Sequence, residues 1–241
     1  MTPVRVNAVI QARLSSTRLP GKVLRPLGGK TVLSWVIRAA ARTHNVDTVI
    51  LATSTDPADD AVAEEARRCG AAVVRGPLDD VLTRYMLAVR AHPCDAVLRL
   101  TADCPLHDPR LIAQVVGLWR ADPTLDHVSN ILGRHYPRGL DAEVIRTATL
   151  EEQDQVATGT HREHVTSDIY TRPEAYRCAG VVSAVDNSDL RVTLDTPEDA
   201  ELLDAVVRAL GDDVPRWEDV VAFLRSRPDV VALNAAVAQK S

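Results

Sequence analysis

Aromatic residues are scarce: the 241-residue chain holds one Phe, three Trp and four Tyr. That scarcity argues against the stacked aromatic platform on which single-stranded nucleic acids bind. Four cysteines are present, Cys69, Cys94, Cys104 and Cys178, with no Cys-x-x-Cys pair and no histidines at zinc-finger spacing. They read as reduced, structural thiols. No apolar run reaches the roughly 18–20 residues that span a bilayer, and no charged-then-apolar leader opens the chain. The expectation is a cytoplasmic protein without a membrane partner. An excess of positive charge is missing as well: 28 Lys and Arg against 33 Asp and Glu leave a net charge of −5 and a pI near 5.8. No global basic field favours nucleic acid, so any anion site must be local.

What is abundant is apolar material, 46% of the chain, enough for a substantial core. Residues 6–12 (VNAVIQA) read as a buried strand, and Val32, Leu33, Val36, Ile37 and Ala40 then recur at helical spacing. The cycle repeats with strands over 48–53, 71–74 and 96–100, each followed by a helix, from Pro57, from about Asp79 and from Pro109. Such alternation predicts an α/β fold, a mostly parallel sheet with helices on both faces. Ligands of such sheets lie outside the carboxyl ends of the strands, so loops 13–31, 53–56, 75–80 and 101–108 should line one rim. After about residue 125 the rhythm changes. Short strands are expected at 127–131, 140–146, 175–185 and 190–196, helices at 147–157 and 161–170, and further helices from Pro197 and near Trp217, followed by a weak helix or tail. This part extends the sheet with a small antiparallel flap. Without linkers or repeats, residues 1–241 are expected to form a single domain.

Gly28-Gly29-Lys30-Thr31 ends as an ATP-binding P-loop would, but that motif needs another Gly at position 24, which is Leu. A turn leading into a helix is the better reading. The segment RLSSTRLPGK, residues 13–22, is different: it follows the first strand and packs Arg13, Arg18 and Lys22 among Ser15, Ser16 and Thr17. Alone it suits a solvated basic loop; at a strand's carboxyl end it suits a triphosphate, which guanidinium groups, a movable ammonium and loop N–H groups can hold. In TADCPLHDP, residues 101–109, Asp108 and Pro109 are explained as an N-cap and a first helical residue. Asp103 is not so explained. LDTPED, residues 194–199, divides in the same way: Thr196 caps, Pro197 starts a helix, and Glu198 and Asp199 complement its dipole, leaving Asp195 over. Two spare aspartates at strand ends fit Mg²⁺ with substrate phosphates, or else satisfy loop amides. His161-x-x-His164 lacks a third ligand for zinc, and Asp79-Asp80 before Arg84 and Tyr85 suits the start of a helix.

The whole pattern resembles the spore-coat polysaccharide biosynthesis (SpsF-type) branch of the cytidylyltransferases, relatives of the CMP-sugar-acid synthetases. VIQARLSSTRLPGKVLRPLGGKTVL is similar to that family's opening phrase, and ATSTDPADD, RGPLDDVLTRY, RLTADCPLHDP, YPRGLDAEV, REHVTSDIY and RVTLDTPED follow in the family's order. One departure is Ser15, where the branch commonly has Gly. The resemblance implies a Rossmann-like nucleotide-diphospho-sugar transferase fold, Mg²⁺ as cofactor, CTP and a small anionic acceptor as substrates, and a homodimer. It implies nucleotide contacts from Ala12, Arg13, Ser16, Arg18, Lys22, Arg75, Gly76, Asp80, Ala102 and Asp103, with Lys22, Arg13 and Asp103 catalytic. Metal would fall to Asp103 and Asp195, and the acceptor to Asp141, Glu143, Arg162 and His164.

The expected reaction is attack of an acceptor oxygen on the α-phosphorus of CTP with loss of pyrophosphate. Two other readings compete: a glycosyltransferase that holds a nucleotide sugar on a similar sheet, and a non-catalytic nucleotide-binding subunit. The cationic loop favours a triphosphate over a nucleotide sugar, and the two retained aspartates weigh against a subunit without turnover.

Overall fold

The protein is described here by a computed structural model over residues 4–238. Its strands are β1 (Val6–Gln11), β2 (Pro26–Leu27), β3 (Lys30–Thr31), β4 (Thr48–Ser54), β5 (Ala72–Gly76), β6 (Ala96–Thr101), β7 (His127–Ser129), β8 (Glu143–Arg146) and β9 (Cys178–Gly180). Its helices are α1 (Val32–Arg42), α2 (Asp60–Arg68), α3 (Val81–Ala91), α4 (Pro109–Ala121), α5 (Thr147–Val156), α6 (Thr160–Glu163), α7 (Ser167–Thr171), α8 (Pro197–Leu210), α9 (Trp217–Ser226) and α10 (Pro228–Ala232).

Seven strands form one sheet in the order β5-β4-β1-β6-β8-β7-β9. β1 occupies the parallel part because it is apolar on both faces: Val6, Ala8, Val9 and Ile10 are all 1% exposed or less. It runs parallel to β4 and to β6, and β5 runs parallel to β4. Gln11 stands beside Thr101, and Ser54 beside Gly76, so the carboxyl ends of the four strands share one rim. β8 pairs antiparallel with both β6 and β7, which supplies the antiparallel extension. One face of the sheet packs Ala8 and Ile10 against α1, α2 and α4, through Val36, Val62 and Val115 among others. Val9 and Ile50 on the opposite face pack against α3 and α5 through Leu82, Tyr85 and Leu150. A third apolar cluster joins Trp35 of α1 and Leu111 of α4 to Leu203 of α8 and Val220 of α9. Among the described residues, no helix is long and apolar enough to cross a membrane.

Helix starts follow the expected chemistry. Asp108 caps α4 by accepting from the Arg110 amide at 2.8 Å, with Pro109 in the first turn, and Thr196 caps α8 in a capping box with Asp199. Gly28 and Gly29, at φ 54° and 76°, make the two-residue turn between β2 and β3, a place that requires left-handed backbone at both positions. Thr31 then caps α1, accepting from the Ser34 amide at 3.1 Å. The P-loop look-alike is thus a hairpin turn and a helix cap, and the Lys30 ammonium bonds to the Asp212 carbonyl at 2.8 Å.

Three expected elements differ. The helix predicted over 161–170 is broken into α6 and α7, with Val165 buried in the turn between them and Ile169 buried on α7. The strand predicted over 175–185 forms only over β9. Residues 190–196 alternate as a strand would, with Leu190, Val192 and Leu194 buried, yet the segment divides its backbone between two partners. Val192 donates to the Arg138 carbonyl at 2.7 Å and Leu194 to the Asp103 carbonyl at 2.8 Å, so the ladder stops at one bridge, Arg138 to Arg191.

Candidate active site

The rim carries a cavity of about 310 Å³ bounded by the carboxyl ends of β1 and β6, the loop 12–23, the start of α3 and the end of α6. Backbone bonds fix its floor: Ala12 donates to the Ala52 carbonyl at 3.3 Å and Ala102 to the Gln11 carbonyl at 3.1 Å. The loop folds on itself through Ser16 and Gly21, whose amides both donate to the Leu14 carbonyl, at 2.8 and 3.1 Å. It is anchored by the Leu14 amide, which donates to the Asp59 carboxylate at 2.7 Å. In this way the loop presents Arg13, Ser16, Arg18 and Lys22 to the cavity.

Lys22 is the centre of the charged cluster. Its Nζ donates to Asp103 Oδ2 at 2.6 Å and to Asp195 Oδ1 at 2.7 Å, joining the two aspartates that no cap explained. Burial pulls the lysine's pKa down, but attraction to Asp103 and Asp195, with both hydrogen bonds, carries it above the ordinary value, so it stays charged. The other oxygen of Asp195 meets Arg18 at 3.1 Å and Arg191 at 2.8 Å. Burial works to raise the Asp195 pKa; Lys22, Arg191 and Arg18 outweigh it and hold the carboxyl below its usual range. Arg191 is held in turn by Asp199 at 2.8 and 3.0 Å, and Asp199 also accepts from the amides of Asp195 and Thr196 and from Asn234.

The site residues expected from the sequence separate into two groups. Ala12, Arg13, Ser16, Arg18, Lys22, Ala102, Asp103, His164 and Asp195 line the one cavity. The others lie outside it. Arg75 turns away, donating to the Ser54 and Asp56 carbonyls at 2.7 and 2.8 Å and pairing with Asp60. A Cβ on Gly76 would stand 2.9 Å from Leu87 Cδ1 and 3.0 Å from Arg84 Cγ, so this glycine serves close packing of β5 on α3. Asp80 caps α3, accepting from the Thr83 amide at 2.8 Å, and is paired at 2.6 Å with Arg162, which also meets Asp154 at 2.8 Å. Asp141 is engaged in a two-pronged pair with Arg134, at 2.7 and 2.8 Å. Glu143 is drawn into the core: it is 1% exposed, bound to Arg99, to His127 at 3.1 Å and to Tyr170. Burial alone would raise its pKa, but Arg99 and His127 depress it to about 2.

Four contributors escaped the sequence reading. Glu163 sits between the two residues singled out there, Arg162 and His164, and it is the one that pairs with Arg13, at 3.1 Å. Arg191 and Asp199 position Asp195, although Asp199 by itself reads as dipole complementation. Arg84 lines the cavity at 2% exposure. Its signal was a cation on the apolar stripe formed by Val81, Tyr85 and Ala88 at helical spacing.

Comparison with known proteins places the chain in a family. A family model described as cytidylyltransferase matches residues 7–131. Over 239 residues the chain is 32% identical to the spore coat polysaccharide biosynthesis protein SpsF of Bacillus subtilis (strain 168), covering 95% of this chain and 97% of that one. A solved cytidylyltransferase from Leptospira borgpetersenii serovar Hardjo-bovis (strain JB197) has a TM-score of 0.91 at 29% identity, covering 95% and 97% of the two chains. A CMP:2-keto-3-deoxy-manno-octonic acid synthetase, solved in complex with CTP, shares the fold, with a TM-score of 0.66 at 19% identity over 85% of this chain and 99% of that one. The fold and the enzyme class are those of a nucleotidyltransferase. The chain belongs to the cytidylyltransferase family.

Proposed function

We propose that the protein transfers CMP from CTP to a small anionic acceptor such as a sugar acid or sugar phosphate, releasing pyrophosphate, with Mg²⁺ as cofactor. The observation that carries this reading is the convergence of Arg13, Arg18 and Lys22 with Asp103 and Asp195 on one cavity at the strand ends. A nucleotide sugar needs no such set of cations, whereas a triphosphate does.

The residues fit a divalent ion. Asp103 Oδ2 and Asp195 Oδ1 both approach a single point, the Lys22 Nζ, at 2.6 and 2.7 Å. Among the described residues, no group of three or more acidic, His or Cys side chains could enclose a metal. Two carboxylates with the remaining positions left to phosphate and water is the set Mg²⁺ prefers. The ion would neutralise phosphate charge and polarise the bond to phosphorus. Lys22 would exchange its carboxylates for phosphate oxygens as the metal-bound nucleotide enters. With Arg13 and Arg18 it would then offset the charge that grows on departing pyrophosphate. In phosphoryl-type transfer such positioning and neutralisation are most of the protein's work. Arg191 would keep Asp195 aimed throughout, because Asp199 and Asn234 hold it in place.

The test is to offer each of the four nucleoside triphosphates, with Mg²⁺, against panels of sugar acids, sugar phosphates and phosphonates while measuring pyrophosphate. Pyrophosphate released from CTP in step with a CMP-linked product supports the proposal. Release of a nucleoside diphosphate from a nucleotide sugar would replace it with glycosyl transfer.

A further inference from the structure

Arg84 is a cation without an anion. It is 2% exposed, and among the described residues no carboxylate lies within ion-pair distance of it. Its side-chain hydrogen bond runs from Nη1 to the Ala52 carbonyl at 3.4 Å, while its Nε is buried with no partner. Buried guanidinium donors are rarely left unmatched, because losing water without gaining an acceptor is unfavourable. Arg84 nevertheless lines the cavity, on a different wall from the loop that carries Arg13, Arg18 and Lys22. Burial lowers the Arg84 pKa and Arg13 adds to that, more than Tyr85, Asp59 and Asp80 offset at longer range.

Uncharged side chains line the cavity together with it. Val81 stands one turn earlier on α3, 3% exposed, and Gln11 also lines the cavity, its Oε1 accepting from the Tyr85 hydroxyl at 3.2 Å. The loop cations are better exposed, Arg13 at 33% and Arg18 at 26% of the side chain, and are free to follow a phosphate chain. Arg84 is fixed, packed beneath Gly76, where the added Cβ of any other residue would stand 3.0 Å from its Cγ.

Taking CTP as the donor, which rests on the proposed function, we infer that Arg84 is the residue that reads the nucleobase, its guanidinium fork donating to the adjacent acceptors O2 and N3 of cytosine. A guanidinium offers donors only. Cytosine satisfies two of them side by side, whereas uracil presents an N3–H donor next to O2, so one donor of the fork would face another. The same group thus gives affinity for CTP and rejection of UTP, in the way buried polar groups discriminate best. The stretch 75–80, expected from resemblance to approach the base, would serve mainly to hold Arg84 in place.

Equilibrium binding of CTP, UTP and pyrophosphate to the full chain with Mg²⁺ tests the inference without an acceptor. The wild-type protein should favour CTP over UTP, and Arg84→Met and Arg84→Lys should each lower that ratio about 5- to 100-fold. Pyrophosphate affinity should stay within about twofold of wild type, since the fork is not assigned to phosphate. An equal loss for CTP, UTP and pyrophosphate would overturn the inference in favour of a phosphate contact. An unchanged CTP/UTP ratio with a lowered melting temperature would overturn it in favour of a structural role. Arg84→Lys keeps the stem and the charge and is the variant to read if Arg84→Met does not fold. A wild-type protein that binds no CTP defeats the proposed function itself, whereas one that binds CTP with a ratio indifferent to Arg84 defeats only this assignment.

Discussion

Lys22 occupies the point where two carboxylates converge, and its neighbours decide what it can do there. With Asp103 and Asp195 on either side, it neutralises a pair of charges that would otherwise repel across the rim. Lys22→Ala and Asp103→Asn are expected to keep the fold and to lower pyrophosphate release about 10²- to 10³-fold; circular dichroism and a coupled pyrophosphate assay check both halves, and near-normal turnover in either variant would remove that residue from the mechanism. Glu143 shows the opposite case, an acid whose charge serves stability. Its pKa is depressed to about 2 from an ordinary 4.5, so its contribution is complete above pH 4.5 and disappears as the pH falls toward 2. Glu143→Gln would leave Arg99 buried without its partner, a change that commonly costs about 3–5 kcal/mol. A drop in melting temperature on the order of 10 °C at pH 7 is expected, shrinking as the pH approaches 2, where the wild-type carboxylate is itself being protonated. A variant as stable as wild type at pH 7 would contradict that account. Asp103 and Asp195 stand out in the sequence because no cap or dipole accounts for them, and Lys22 because it shares a strand-end loop with Arg13 and Arg18. The burial of Glu143 is not legible in the sequence because its partners, Arg99, His127 and Tyr170, come from three other elements.

At the level of elements, the hairpin β2–β3 and the segment 190–195 make different demands. Lys30 belongs to the hairpin and binds the Asp212 carbonyl, away from the cavity. Lys30→Ala should therefore leave pyrophosphate release within about twofold of wild type, whereas the lysine of a true P-loop is a direct phosphate ligand. Kinetics at saturating nucleotide decide between them. The segment 190–195 depends on Gly139, at φ 103°, where an added Cβ would lie 2.5 Å from the Thr193 amide nitrogen. Gly139→Ala is expected to push this segment off Arg138 and to carry Asp195 with it, lowering both melting temperature and turnover. Turnover equal to wild type would show that Asp195 is positioned without that contact. The hairpin turn and the caps were legible, since Gly-Gly, Thr-Pro and Asp-Pro act within a few residues of themselves. The segment 190–196 was read as a strand from its alternation, and what stopped the ladder was the split of its backbone bonds between Arg138 and Asp103.

Across the whole molecule, α8 and α9 close over α1 and α4 in one apolar cluster, and α8 begins two residues after Asp195. If residues 1–241 act as a single domain, thermal unfolding followed by tryptophan fluorescence and by circular dichroism should give one coincident transition; two separated transitions would point to independent units. A homodimer is expected as well, and sedimentation should then give twice the 26.2 kDa chain mass. The sequence by itself determined the order of most strands and helices, the rim at which the parallel strands end, and the residue types that meet there. These are consequences of periodicity, capping and strand-end geometry, which act over short spans. Only the tertiary structure decided which charges pair. Arg162 and Asp80 satisfy one another at 2.6 Å, Glu143 is consumed in the core, and Glu163, Arg191 and Asp199 take up the supporting places. A side chain's charge is written in the sequence, but its role depends on how much water it loses and on what stands within about 3 Å of it, and residues far apart in the chain set both.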